Sequence, residues 1–186
     1  MPPPIVDRTR RLRDCLGHFP TGVTVVTTER DGVVHGATVG SFTSVSLDPP
    51  LVLVSLRRTS TLGELLSGAP FCVNVLASDQ RELALHFAGA RTTEVTWLPG
   101  AGPPRLAGCA AFVSCAPWAG HDGGDHVLHL GEVVDFGASG AEPLVFHRGA
   151  FREMRRARAE TGWSGSLDYP TEMLAAMLSR SNGESG

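Results

Sequence analysis

The stretch GATVGSFTSVSLDPPLVLVSL, residues 36–56, changes character at Pro49-Pro50. Its second part, Leu51–Leu56, is a continuous apolar run of the kind that fills a buried strand. Its first part is equally free of charge, yet one side of it is nearly bare. If residues 36–46 are extended, Thr38, Gly40, Ser44 and Ser46 share a face with Phe42 as its one bulky member, because alternate side chains of a strand point the same way. Such a face is too polar for a core and too uncharged for an ordinary surface. Two readings are open. It is a bulged strand packed against another strand, or a surface kept small so that a flat, polar-edged heterocycle can meet backbone amides and hydroxyls.

The flanking sequence gives this stretch its setting. Val23–Thr28 is β-branched without interruption and reads as a strand. Asp31-Gly32 supplies the positive φ angles of a tight hairpin turn, so 36–46 is the returning strand. Upstream, Leu12, Cys15, Leu16 and Phe19 recur at helical spacing, predicting a helix over 7–18 that ends before Pro20. Downstream, Thr61-Leu-Gly-Glu64 fits a capping box that opens a short helix running to Gly68. Residues 71–76 form another strand, and Asp79 caps a helix passing through Leu83 and Phe87 to Gly89. Residues 90–104 read as a loop around Trp97. Extended stretches follow at 106–116, 126–136 and 143–147. Beyond Phe151 the chain is Arg-rich, then Gly- and Ser-rich, with a last short helix carrying Met173, Leu174, Met177 and Leu178. Six or seven strands in hairpin connection, with a few short helices, predict a mainly β protein: an antiparallel barrel with helices at its rims. The βαβ rhythm and G-x-G-x-x-G of a doubly wound nucleotide fold are missing.

A chain of 186 residues suits one domain, or one domain with short appendages. Its net charge of −3 argues against a nucleic-acid partner, although all sixteen basic residues are Arg. No run approaches the roughly 20 apolar residues of a membrane span, and the N-terminus lacks the apolar stretch of a secretory signal. Cys15, Cys72, Cys109 and Cys115 form no C-x-x-C pair; four buried reduced thiols, or one disulfide, account for them. A soluble, cytoplasmic protein is expected.

Two further features carry chemistry. Arg57-Arg58-Thr59-Ser60-Thr61 leads into the capped helix, where unpaired amides favour an anion; the plainer reading is a solvated arginine pair and a routine cap. Beside the bare strand, however, a flat ring plus a phosphate is a single ligand. The second feature is the run from His121 to His129. Its three His and two Asp invite a metal, but His126 and His129 face opposite ways on a strand, so no metal is expected. Asp125 and His126, at the head of the strand after two glycines, fit either a functional imidazole or a loop histidine in water. Neither G-x-S-x-G nor H-E-x-x-H occurs, so hydrolytic machinery is not visible.

Four blocks now combine: FPTGVTVVTT (19–28), HGATVGSFTSVSLDPPLVLVSL (35–56), GGDHVLHLGEV (123–133) and PLVFHRGAFR (143–152). In this order, over about 15–155, they resemble the flavin reductase-like, FMN-binding split-barrel family. More closely, they resemble the short-chain flavin reductases that serve two-component flavin-dependent monooxygenases. The resemblance implies an antiparallel split β-barrel with short flanking helices over 1–155, a C-terminal extension over 156–186, and a homodimer. It implies that FMN or FAD is bound and reduced by NADH or NADPH, and that reduced flavin passes to a monooxygenase partner. By motif, Thr38, Val39, Gly40, Ser41, Ser44, Val45 and Ser46 would line the flavin ring, and Arg57, Ser60 and Thr61 would take the phosphate. Phe87 and Ala88 would edge the site, His126 with Asp125 would meet the nicotinamide, and Phe151 and Arg152 would contribute across the dimer. Where relatives often read Thr-Ala-Asn-Ser-Phe, this chain has Thr38-Val-Gly-Ser-Phe42, so Gly40 removes an amide side chain. Two other uses of such a scaffold remain open: flavin held tightly for the protein's own substrate, and a non-catalytic flavin or haem carrier or interaction module.

Overall fold

A computed structural model describes residues 5–99 and 102–154. The last helix expected at Met173–Leu178 and the extension 156–186 lie outside the described residues. The first helix, α1, spans Ile5–Leu16. The strands are β1 (Thr21–Gly22), β2 (Thr24–Arg30), β3 (Val33–Val39), β4 (Thr43–Leu47), β5 (Pro50–Arg57) and β6 (Phe71–Val75). They continue as β7 (Trp97–Leu98), β8 (Arg105–Leu106), β9 (Ala111–Gly123), β10 (His126–Ala138), β11 (Val145–His147) and β12 (Ala150–Arg152). Two more helices, α2 (Thr61–Leu65) and α3 (Arg81–Phe87), interrupt them.

The architecture is mainly β and antiparallel. One seven-stranded sheet runs in the order β3-β2-β6-β9-β10-β5-β4; β1-β11-β12 and β7-β8 make small additional sheets. The Asp31-Gly32 turn between β2 and β3 has φ angles of 53° and 76°, the mirror-image turn that suits strand twist.

The expected single strand over 36–46 does not form. The chain leaves the ladder after Val39 and re-enters it at Thr43. β3 pairs with β2, whereas β4 pairs with β5 at the opposite edge of the same sheet. Thr38 and Gly40 therefore do not share a face with Ser44 and Ser46. A hydroxyl marks the crossing: Ser41 Oγ donates to the Ser55 carbonyl at 2.8 Å and accepts from the Ser55 amide at 3.1 Å. It satisfies backbone groups of β5 that face no strand residue there.

β2 is buried along Thr24–Thr28 because each face meets a different core. Val26 packs with Val54, Leu56, Phe71 and Val73 beneath Leu62 and Leu66 from the α2 region. Val25 joins Val23, Leu76, Leu144 and Ala84 of α3 on the other side. A strand wedged between two apolar layers reads as a continuous β-branched run.

Several local expectations shift. Ser60, not Thr61, caps α2: its backbone is extended, and its hydroxyl accepts from the Gly63 amide at 3.1 Å. α3 begins after Gln80, with no side-chain cap. Gln80 instead accepts from the Ala77 amide at 3.0 Å and donates to the Ala107 carbonyl at 2.7 Å, tying two loops together. The stretch expected at 106–116 is the shorter β8 followed by the long β9. The four cysteines are free, but Cys15 is exposed rather than buried.

His126 and His129 take opposite faces, as their spacing requires. His129 lies opposite Val54 in the ladder, so it points inward with that core residue and is 5% exposed. Its Nε2 has no hydrogen-bond partner among the described residues. Burial pushes the imidazole pKa below the ordinary value of 6.5. In the unfolded chain the ring takes up a proton below that pH, and in the folded chain it resists doing so. Its contribution to stability is therefore complete above about pH 6.5 and declines as the pH falls through that value. His129→Gln removes this proton uptake. The melting temperature of the wild type should fall relative to that of His129→Gln between about pH 7.5 and about pH 5. A difference that stays constant with pH would contradict the assignment.

Candidate functional site

The small residues of β3 do receive a neighbour. A Cβ on Gly36 would sit 2.9 Å from two ring carbons of Phe87, so α3 lies directly against the strand. Thr38 Oγ1 fastens the contact by donating to the Ala84 carbonyl at 2.7 Å. Phe87 is then held edge-on by Trp97, with ring centroids 6.0 Å apart. At Gly36 the small residue makes room for a protein side chain, though one from a helix rather than from the second strand expected.

One turn further the packing opens. Thr38, Val39 and Gly40 form one wall of a cavity of about 640 Å³, within the range of small-molecule sites. Residues 21–23 and the α3 side chains, with Ala88 beyond the helix end, make two more walls, and the β11–β12 hairpin closes the slot with Phe146 and Phe151. Those two rings pack edge-to-face, with centroids 5.4 Å apart. Arg81 is the single charged residue among those lining the cavity, and its guanidinium carbon lies 5.6 Å from the centre of the Phe151 ring, in cation–π range. A Cβ on Gly40 would meet Thr21 Oγ1 at 2.9 Å. The hydroxyl of Thr21 thus occupies the space that a side chain at position 40 would need.

Thr38, Val39, Gly40, Ala88 and Phe151 therefore come together around one slot. Phe87 stands behind the wall rather than on it. Arg152 is exposed on β12 and is not among the lining residues. Ser44, Val45 and Ser46 lie on edge strand β4, where the ladder is interrupted between the two serines.

A second group lies along β5 from the crossing. Arg57 and His126 are direct cross-strand partners, so their side chains share a face. The Arg58 amide donates to the Asp125 carbonyl at 3.0 Å, and its guanidinium pairs with Asp122. The expected anion turn and the histidine loop are thus adjacent. Nδ1 of His126 lies 2.7 Å from Oδ1 of Asp125. The hydrogen bond from His126, followed by its charge, holds the Asp125 carboxyl below the usual carboxylate range. This bond fixes the ring so that Nε2 is the free nitrogen. Ser60, in contrast, is already committed: besides accepting from Gly63, its hydroxyl donates to the Arg57 carbonyl at 2.8 Å. Among the described residues, no cluster of His, Cys, Asp and Glu suits a metal ion.

The slot offers flat apolar walls, a glycine-lined backbone edge and one cation, a combination that fits a planar, polar-edged ring. Sequence reading missed Thr21, Arg81 and Phe146. Arg81 carries no periodic signal, and Thr21 and Phe146 reach the slot through the pairing of β1 with β11.

Residues 16–155 match the Flavin reductase like domain, and the chain belongs to that family. It is 40% identical over 158 residues to an NADH-dependent flavin reductase of a Rhodococcus species, covering 82% of this chain and 90% of the relative. It is likewise 40% identical over 149 residues to the reductase subunit of a flavin-dependent monooxygenase from Rhodococcus jostii, covering 76% of each. Among solved structures, an NADH:FAD oxidoreductase of Streptomyces globisporus in complex with NAD and FAD fragments superimposes with a TM-score of 0.77 at 38% identity. That match covers 83% of this chain and 96% of the other.

The Gly40–Thr21 contact makes a direct prediction. Gly40→Ala should destabilise the fold by about 1–3 kcal/mol, the usual range for overpacking. In a Thr21→Ala background the same change should cost at least ~0.5 kcal/mol less, because the two sites share one space. Strict additivity in denaturant unfolding would show that they do not.

Proposed function

We propose that this chain is an NAD(P)H:flavin oxidoreductase. It reduces FMN or FAD with a hydride from NADH or NADPH and delivers the reduced flavin to a partner monooxygenase. The observation that carries this reading is the slot beside Thr38–Gly40, with the Asp125–His126 pair on the β5–β10 ladder. Bound flavin supplies the chemistry, accepting a hydride from a dihydronicotinamide. The protein's task is to hold two rings in register and to keep the site polar at one edge.

Backbone groups of residues 38–40 line the ring, with Ala88, Phe151 and the Phe87 behind them. Gly40 leaves the wall flat, and the Thr21 hydroxyl stands where an amide side chain would otherwise project. Arg57 and Thr61 hold the flavin phosphate, while Ser60 shapes the turn as a helix cap. Asp125 orients His126, whose free nitrogen positions the nicotinamide. Relatives named as NADH-dependent reductases and as monooxygenase subunits support this reading over a non-catalytic carrier or an enzyme that keeps its flavin.

The domain extends over 1–155 and closes as a split barrel. Support comes from the opposite sheet edges β3 and β4, which are joined by three residues and pinned by Ser41 to β5. The protein is a homodimer. Val45 is 48% and Leu47 is 70% exposed on edge strand β4, and an apolar edge of this kind calls for a cover. A second copy placed there brings Ser44–Ser46 to the site, with Arg152 contributed across the interface.

NADH consumption, followed by its near-ultraviolet absorbance, should require added FMN or FAD. His126→Ala should lower kcat/KM for NADH about tenfold, corresponding to one lost hydrogen bond to the ligand, while the KM for flavin stays unchanged. An unaltered rate in His126→Ala would remove the histidine from the site. A wild type that binds flavin but oxidises no NADH or NADPH would overturn the reductase reading.

A further inference from the structure

A second depression, of about 530 Å³, adjoins the slot and shares Gly149 with it. It is lined by Arg13, Asp14, Gly17, His18, Arg148 and Gly149. Two arginines and a histidine face a single carboxylate, a balance that favours an anion. Arg58 is neutralised by Asp122, whereas Arg13 and Arg148 form no ion pair among the described residues.

The backbone holds these groups together. Arg148 and Gly149 are the two central residues of the turn between β11 and β12, with φ angles of 50° and 78°. Such a turn favours Asn or Gly at its first position, and an arginine there carries a steric cost of about 1–2 kcal/mol. A long cation thus stands where a short residue fits better, and local strain of this kind is found at sites where a side chain has a task. The Arg148 amide donates to the Gly17 carbonyl at 3.0 Å, docking the hairpin on the end of α1. A Cβ on Gly17 would lie 3.7 Å from the Arg148 Cα, ordinary van der Waals contact, so the hairpin tip and the helix end touch. The contact places the last turn of α1, with Arg13, and the following His18 beside the Arg148 tip.

From this arrangement we infer that the depression is a phosphate subsite of the slot. It takes the phosphate or pyrophosphate of a nucleotide whose aromatic end reaches into the slot. Guanidinium groups suit this role because their planar donors match phosphate oxygens in pairs. The inference rests on the proposed reading of the slot as a flavin and nicotinamide site. Because the Arg57 turn serves the flavin phosphate in that reading, the expected ligand here is the hydride donor. The flavin's own phosphate is the other source of the same chemistry.

The test is an Arg13→Gln, Arg148→Asn double variant. Gln preserves helix propensity and Asn tolerates positive φ, so the backbone is kept. Titration calorimetry with ADP should show binding to the wild type and at least tenfold weaker binding to the variant. In steady-state assays the KM for NADH should rise by a similar factor, with kcat and the KM for FMN unchanged. A rise confined to the KM for FMN would uphold the subsite and assign it to the flavin phosphate. Equal ADP affinity with both KM values unchanged, or no ADP binding by the wild type, would overturn it. If neither protein oxidises NADH, yet ADP binding still depends on the two arginines, the subsite stands and the reductase reading falls.

Discussion

The arrangement depends on how the chain passes from Val39 to Thr43. Within three residues it leaves one edge of the seven-stranded sheet and joins the other. A crossing this short needs an anchor, and Ser41 supplies it by donating to and accepting from the same residue of β5. It also needs space, which Gly40 provides by bringing no side chain against Thr21. One side of the crossing becomes the wall of the slot. The other leads along β5 to Arg57 and His126. Two groups of residues far apart in sequence thus flank one short segment.

The second constraint is the clamp of α3 on β3. Gly36 lets Phe87 approach, Thr38 bonds the helix backbone, and Trp97 braces the phenyl ring. The clamp closes over Gly36 and leaves Thr38–Gly40 as one wall of the slot. It also sets Arg81, at the start of the helix, over Phe151, so a lone cation is held by an aromatic face rather than by a carboxylate. A cation held in this way keeps its charge available to a ligand.

Much of the fold was legible because its signals are local. β-branched runs, the Asp31-Gly32 turn and the apolar spacing near residue 12 each report on adjacent residues. The same holds for His126 and His129, whose separation alone assigns them to opposite faces. The break at 40–42 was not legible, since alternation of side chains continues through it while the hydrogen-bond partner changes from β2 to β5. Ser60 and Thr61 are equally good capping residues; the extended backbone of Ser60 decided between them. At the slot, Thr38 and Gly40 could be read from the bare face they were expected to share, and the family's motifs pointed to these positions and to Val39. Thr21 and Phe146 could not, because each depends on a strand pairing between distant parts of the chain. Arg13 and Arg148 escaped for the same reason: a backbone bond from a hairpin tip to a helix end brings them together.

The central claim is that residues 38–40 are the surface against which a flavin ring lies. Amide hydrogen exchange with and without saturating FMN tests this most directly. The account predicts slowed exchange in peptides covering 38–41 and 146–151, together with those containing 57–61. Protection confined to 57–61, with 38–41 exchanging as in the free protein, would contradict it.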